Sequence, residues 1–138
     1  KKAADGKLHL TLPIGNAKMG GIAAEDIGKS AYGIFKKGKE MFGKKVGLAG
    51  EQLTGEEMAA ELSKVLGQPV IYNKIPASVY RSFGFPGADD LGNMFQFYDD
   101  FEEQVNALRD VSASKELNPE LQSFPSWLKE NGKLIPLE

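Results

Sequence analysis

The stretch from Phe83 to Tyr98, Phe-Gly-Phe-Pro-Gly-Ala-Asp-Asp-Leu-Gly-Asn-Met-Phe-Gln-Phe-Tyr, constrains the rest of the chain more than any other. Gly84, Pro86 and Gly87 make a rigid turn, because Pro fixes φ and disfavours a helical residue before it while Gly accepts positive φ. Beyond the turn, Leu91, Met94, Phe95, Tyr98 and Val105 recur at the spacing of one helical face. Phe97, Phe101 and Leu108 form a second apolar row, which predicts a long helix covered on two sides. A helix apolar over most of its girth belongs inside something larger.

The flanking segments read as short strands and helices. Leu8-His9-Leu10-Thr11-Leu12 alternates and stops at Pro13, a strand with its leucines on one face. A Gly15–Gly21 loop leads to a helix over about Glu25–Lys37, with Ile27, Ala31, Ile34 and Phe35 as its expected buried stripe. Ala23 or Ala24 stands where a capping Ser or Asp is preferred; Glu25 and Asp26 compensate through the helix dipole. Gly38 and Gly43 bracket a loop, and Val46–Ala49 reads as a strand. Thr54 and Glu57 form a capping box for a helix lined by Met58, Ala59, Leu62, Val65 and Leu66, stopped by Gly67 and Pro69. Pro69–Lys74 is a further strand, and Pro76 opens a short helix with Val79, Tyr80 and Phe83 expected inward. Ser123 caps a last helix that docks through Trp127 and Leu128 and ends at Gly132.

Composition narrows the functional classes. The net charge of −2 argues against a dedicated nucleic-acid binder, and no apolar run has membrane-spanning length. Residues 1–50 carry ten Lys against four acidic residues, while residues 51–138 carry a net −8, which reads as two solvated faces or as a basic lip for an anionic cofactor or partner. Absence of cysteine excludes disulfides and thiolate chemistry. The opening Lys1-Lys2, without Met, reads as the start of a fragment or of a processed chain.

Chemistry-bearing patterns are few. Tyr32 and Lys36 have the Tyr-x-x-x-Lys spacing that sets an ammonium beside a phenol and makes it a usable acid. Lys36, Lys37 and Lys39 read equally as a solvated basic edge. Gly15–Gly21 has the glycine spacing of a phosphate loop, but Gly21 and Ile22 stand where Lys and Ser/Thr would hold phosphate and magnesium. His9, the sole histidine, reads as a strand residue facing solvent or a neighbouring element. Asp89-Asp90 suits a helix first turn and Asp99-Asp100 its polar edge, with no EF-hand spacing following. The aromatic row around Phe83–Tyr98 is core packing first and a pocket wall second.

Three segments in order carry a resemblance: Pro13-Ile14-Gly15 leading to Gly21-Ile22-Ala23-Ala24-Glu25-Asp26-Ile27-Gly28, Val46–Gly50 leading to the helix at Thr54, and the Gly-Phe-Pro-Gly-Ala turn with its aromatic helix. From about Leu12 onward the chain resembles the C-terminal lobe of NmrA-like proteins, atypical members of the short-chain dehydrogenase/reductase superfamily. The resemblance implies one α+β lobe over residues 1–138, with three or four short strands and four or five helices. It would be the substrate-side part of an NAD(P)-binding Rossmann-type protein, without its dinucleotide-binding half. It sets Tyr32 and Lys36 downstream of the family's catalytic helix, so no catalytic residue is expected in this segment. Met19, Gly20, Phe83, Phe85, Met94, Phe95 and Tyr98 are then the expected pocket-lining residues. The implied cofactor is NADP, bound by the full-length parent; no cofactor and no metal are expected for this segment alone. The implied role is the cleft-closing, partner-contacting lobe of a cytoplasmic (also nuclear) NADP(H) sensor. The alternative is the specificity lobe of an NADPH-dependent quinone or isoflavone-type reductase. An open sheet edge and an apolar surface are expected to meet the Rossmann half, a second copy in a homodimer, or another protein, with no direct nucleic-acid or membrane contact.

Overall fold

A computed structural model describes Ala3 and residues 5–137, and the opening Lys1-Lys2 lies outside the described residues. The elements run β1 (Leu8–Leu12), β2 (Met19–Gly21), α1 (Ala24–Lys37), β3 (Glu51–Leu53), α2 (Gly55–Leu66), β4 (Val70–Lys74), α3 (Ala77–Arg81), α4 (Ala88–Asp100), α5 (Glu102–Ala107), α6 (Val111–Leu117) and α7 (Phe124–Asn131). Single 3-10 turns follow α1 and α7. The class is α+β, with seven α-helices among the described residues where four or five were expected.

β1 and β4 pair in parallel, Leu8 opposite Val70 and Leu12 opposite Lys74. β2 and β3 pair antiparallel, Met19 opposite Leu53 and Gly21 opposite Glu51. The two pairs are separate sheets. Tyr72, at the centre of β4, donates its hydroxyl to the carbonyls of Gly15 (2.9 Å) and Leu12 (3.2 Å), fixing the chain where Pro13 ends β1. Burial pushes the Tyr72 phenol pKa up, and the carboxylates of Glu56 and Asp99 add to the shift. Gly55 lets α2 start against this ring, since a Cβ there would fall 2.3 Å from it. The capping box is complete: Thr54 Oγ1 accepts from Glu57 N at 3.1 Å, and Glu57 accepts from Thr54 N at 2.8 Å.

Several expectations are corrected. Part of the Gly15–Gly21 loop is a strand, β2, because Met19–Gly21 finds a partner in β3. Val46–Ala49 is irregular, and the strand forms at Glu51 instead. Gly47 is pressed against the Leu108 carbonyl, where a Cβ would fall 2.0 Å away, and the buried Ala49 N–H donates to Ser114 Oγ at 3.1 Å. The helix side chain thus satisfies at Ala49 a donor that a ladder would otherwise take.

On α1 the buried positions are Asp26 and Ser30, while Ile27 and Phe35 are 48% and 80% exposed. Gly33 explains the choice of face: it lies against the backbone of Leu117, so α1 and α6 approach over small and polar residues. The aromatic helix is also broken at Phe101 (φ −124°, ψ 34°), separating α4 from α5. Leu91, Met94 and Tyr98 are half-buried and Phe95 and Val105 buried, as one face requires. Phe97, Phe101 and Leu108 remain exposed, so nothing among the described residues covers the second row. Tyr80 of α3 packs inward, whereas Val79 and Phe83 stay largely open. Leu128, fully buried, docks α7 as expected.

Candidate functional site

The β2–β3 pair and the starts of α1 and α7 enclose a cavity of about 490 Å³. Two carboxylates build it through three long-range hydrogen bonds. The buried Asp26 carboxylate accepts from Asn118 Nδ2 and from the Gln122 backbone N–H, both at 2.9 Å, and draws the 118–122 loop across the start of α1. The Glu51 carboxylate accepts from Phe124 N at 2.8 Å, tying β3 to the first turn of α7. Ser123 caps that helix by accepting from Ser126 N.

The walls are largely apolar: Met19, Ile22, Leu53, Met58, Phe124 and Trp127. Glu25, Glu51, Gln122, Ser123 and Asn131 supply the polar atoms, with no Lys, Arg or His among the lining residues. Glu25 accepts from Gln122 Nε2 at 2.6 Å. The Ser123 hydroxyl, which lines the cavity, is engaged with Ser126. Among the described residues no cluster of His, Cys, Asp and Glu is arranged for a metal ion, and no helix is long and apolar enough to cross a membrane.

Of the residues singled out from sequence, Met19 lines this cavity. Gly20 lies in β2 opposite Gln52 with its backbone against Ala49. Phe83, Phe85 and Phe95 gather around Tyr80, with ring centroids 5.4, 5.7 and 5.5 Å from it. Met94 is half-buried on α4, and the Tyr98 ring meets the Arg109 guanidinium at 5.2 Å. Tyr80, Phe83, Phe85 and Phe95 form a cluster on α3, α4 and the turn between them, apart from the cavity lining. The cavity residues of β3 and α7 escaped sequence reading because only the Asp26 and Glu51 contacts bring them together.

The other candidates are settled by their surroundings. Lys36 Nζ sits 5.4 Å above the Tyr32 ring, but Tyr32 is 65% exposed on the outer face of α1. In the glycine-spaced loop, the Asp99 carboxylate lies against Gly15, and Lys18 N donates to Glu102 at 2.7 Å. His9 Nε2 lies 3.2 Å from Asp5 Oδ2.

Fold and cavity together define the class: a small α+β fold with a largely apolar cavity, its parallel strand pair open at both edges among the described residues. A model of the NmrA-like family matches residues 1–128, and the chain belongs to that family. The fold matches NmrA, a negative transcriptional regulator, with a TM-score of 0.74 at 18% identity, over 97% of this chain and 46% of that one. A structure of NmrA in complex with NADP matches with a TM-score of 0.73 at 18% identity and the same coverages. A nucleoside-diphosphate-sugar epimerase from Staphylococcus aureus matches with a TM-score of 0.72 at 22% identity, over 88% of this chain and 43% of that one. The chain therefore has the fold of part of a Rossmann-type protein and spans less than half the length of these proteins.

Proposed function

We propose that this chain is the substrate-side lobe of an NmrA-like regulatory protein that senses NADP(H), closing the cofactor cleft and contacting partner proteins without chemistry of its own. The observation that carries the reading is the β1–β4 pair, a parallel ladder of only two strands. Parallel strands are almost always interior parts of larger, covered sheets, so this pair calls for more strands beside it. The exposed row of Phe97, Phe101 and Leu108 is a matching apolar flank for the dinucleotide-binding half, a second copy or a partner protein. NADP and NAD complexes of NmrA support the cofactor. On this reading the protein works in the cytoplasm and, as a regulator, in the nucleus.

The test uses the full-length protein. Calorimetric titration with NADP and NADPH is expected to show binding, while NADPH oxidation against a panel of quinones shows no turnover. Robust hydride transfer would overturn the sensor reading in favour of a reductase whose specificity this lobe sets.

A further inference from the structure

We propose that the cavity between β2–β3, α1 and α7 binds a small organic cation, a primary amine carried on an apolar or aromatic body. The proposal does not rest on the sensor reading. The volume of about 490 Å³ suits a small molecule, within the roughly 300–1,000 Å³ usual for such sites. Its charge inventory is one-sided: Glu25 and Glu51 line it and no cationic side chain does.

Each carboxylate is held by a single contact, Glu25 Oε1 by Gln122 Nε2 and Glu51 Oε2 by Phe124 N. Neither forms an ion pair among the described residues, although the Lys29 ammonium acts on Glu25 through space, which leaves one oxygen of each able to accept from a ligand. An anion would be repelled by both. A neutral apolar guest would strip water from the half-buried Glu51 carboxylate and return nothing. An ammonium compensates that cost, and its stem finds the rest of the wall. Phe124 and Trp127 offer aromatic surface that favours a cation close by, and Met19 and Met58 adapt to the shape of the body.

Three compounds of nearly one shape, phenethylamine, 2-phenylethanol and phenylacetate, separate charge recognition from simple apolar filling. The full-length protein is titrated with each by calorimetry, while Trp127 emission, isolated by a Trp127→Phe control, reports occupancy of the cavity. None of the probes contains nicotinamide, so the result is read apart from any NADP binding. The amine is expected to bind at least about tenfold more tightly than the alcohol, and the acid not at all. Glu51→Gln and Glu25→Gln each keep an acceptor for Phe124 N or Gln122 Nε2, so the fold is retained. Each is expected to weaken the amine about fivefold or more and leave the alcohol unchanged. Equal binding of amine and alcohol, amine affinity unaltered in both variants, or no binding of the amine at millimolar concentration would overturn the proposal.

Discussion

Asp26 is a fully buried carboxylate whose two oxygens take one hydrogen bond each, from Asn118 and from the Gln122 backbone. Removing it orphans one buried and one half-buried donor at once. Asp26→Ala is therefore expected to cost about 3 kcal/mol in urea unfolding, and Asp26→Asn less, since the amide still accepts one bond. The capping box gives a second, milder residue-scale prediction: Thr54→Ala should cost about 1 kcal/mol. The Thr54 backbone N–H holds the Glu57 carboxyl below its ordinary value of 4.5. A depressed folded pKa contributes stability that is fully present above the unfolded value and is lost as pH falls through the folded one. Glu57→Gln should thus flatten the acid limb of the stability profile below pH 4.5 and leave its neutral limb parallel to that of the unaltered chain.

Elements are matched to one another by close backbone approaches, and α1 tests this within a single helix. A Cβ at Gly33 would fall 2.1 Å from the Leu117 carbonyl oxygen, whereas one at Gly28 meets nothing within 4 Å. Gly33→Ala should destabilise by about 1–3 kcal/mol, because backbone must move to admit it. Gly28→Ala, on the exposed side, should stabilise by about 0.5–1 kcal/mol by restricting the unfolded chain. Thermal unfolding of the two variants side by side checks both signs. The same approach of α1 to α6 explains why the apolar positions Ile27 and Phe35 face outward: Gly33 can meet a carbonyl, and a phenylalanine cannot.

At the scale of the whole molecule, the second apolar row is the telling feature. Phe97 is 51% exposed and lies 5.0 Å, centroid to centroid, from Phe101. If the rest of a full-length protein covers this row, Phe97→Ala should lower stability about twofold more there than in the 138-residue chain, because more apolar area is then lost from burial. Equal losses measured by urea unfolding in the two proteins would show that the row stays open to solvent.

The sequence alone determined the signals that act within a few residues. These include the alternation that makes β1, the Thr54–Glu57 box, Gly67 in its left-handed stop at φ 65°, Ser123 at the head of α7, and the order of segments that marks the family. The Thr54–Glu57 box and the Ser123 cap work through bonds to neighbours three positions away, so pattern suffices for them. What only the tertiary structure decided was which face of α1 turns inward, where β3 begins, that Phe101 breaks the aromatic helix, and that a cavity opens beside Trp127. The contacts responsible join Asp26 to residues 92 and 96 positions further on and Glu51 to one 73 positions further on, and no local periodicity carries information over such separations.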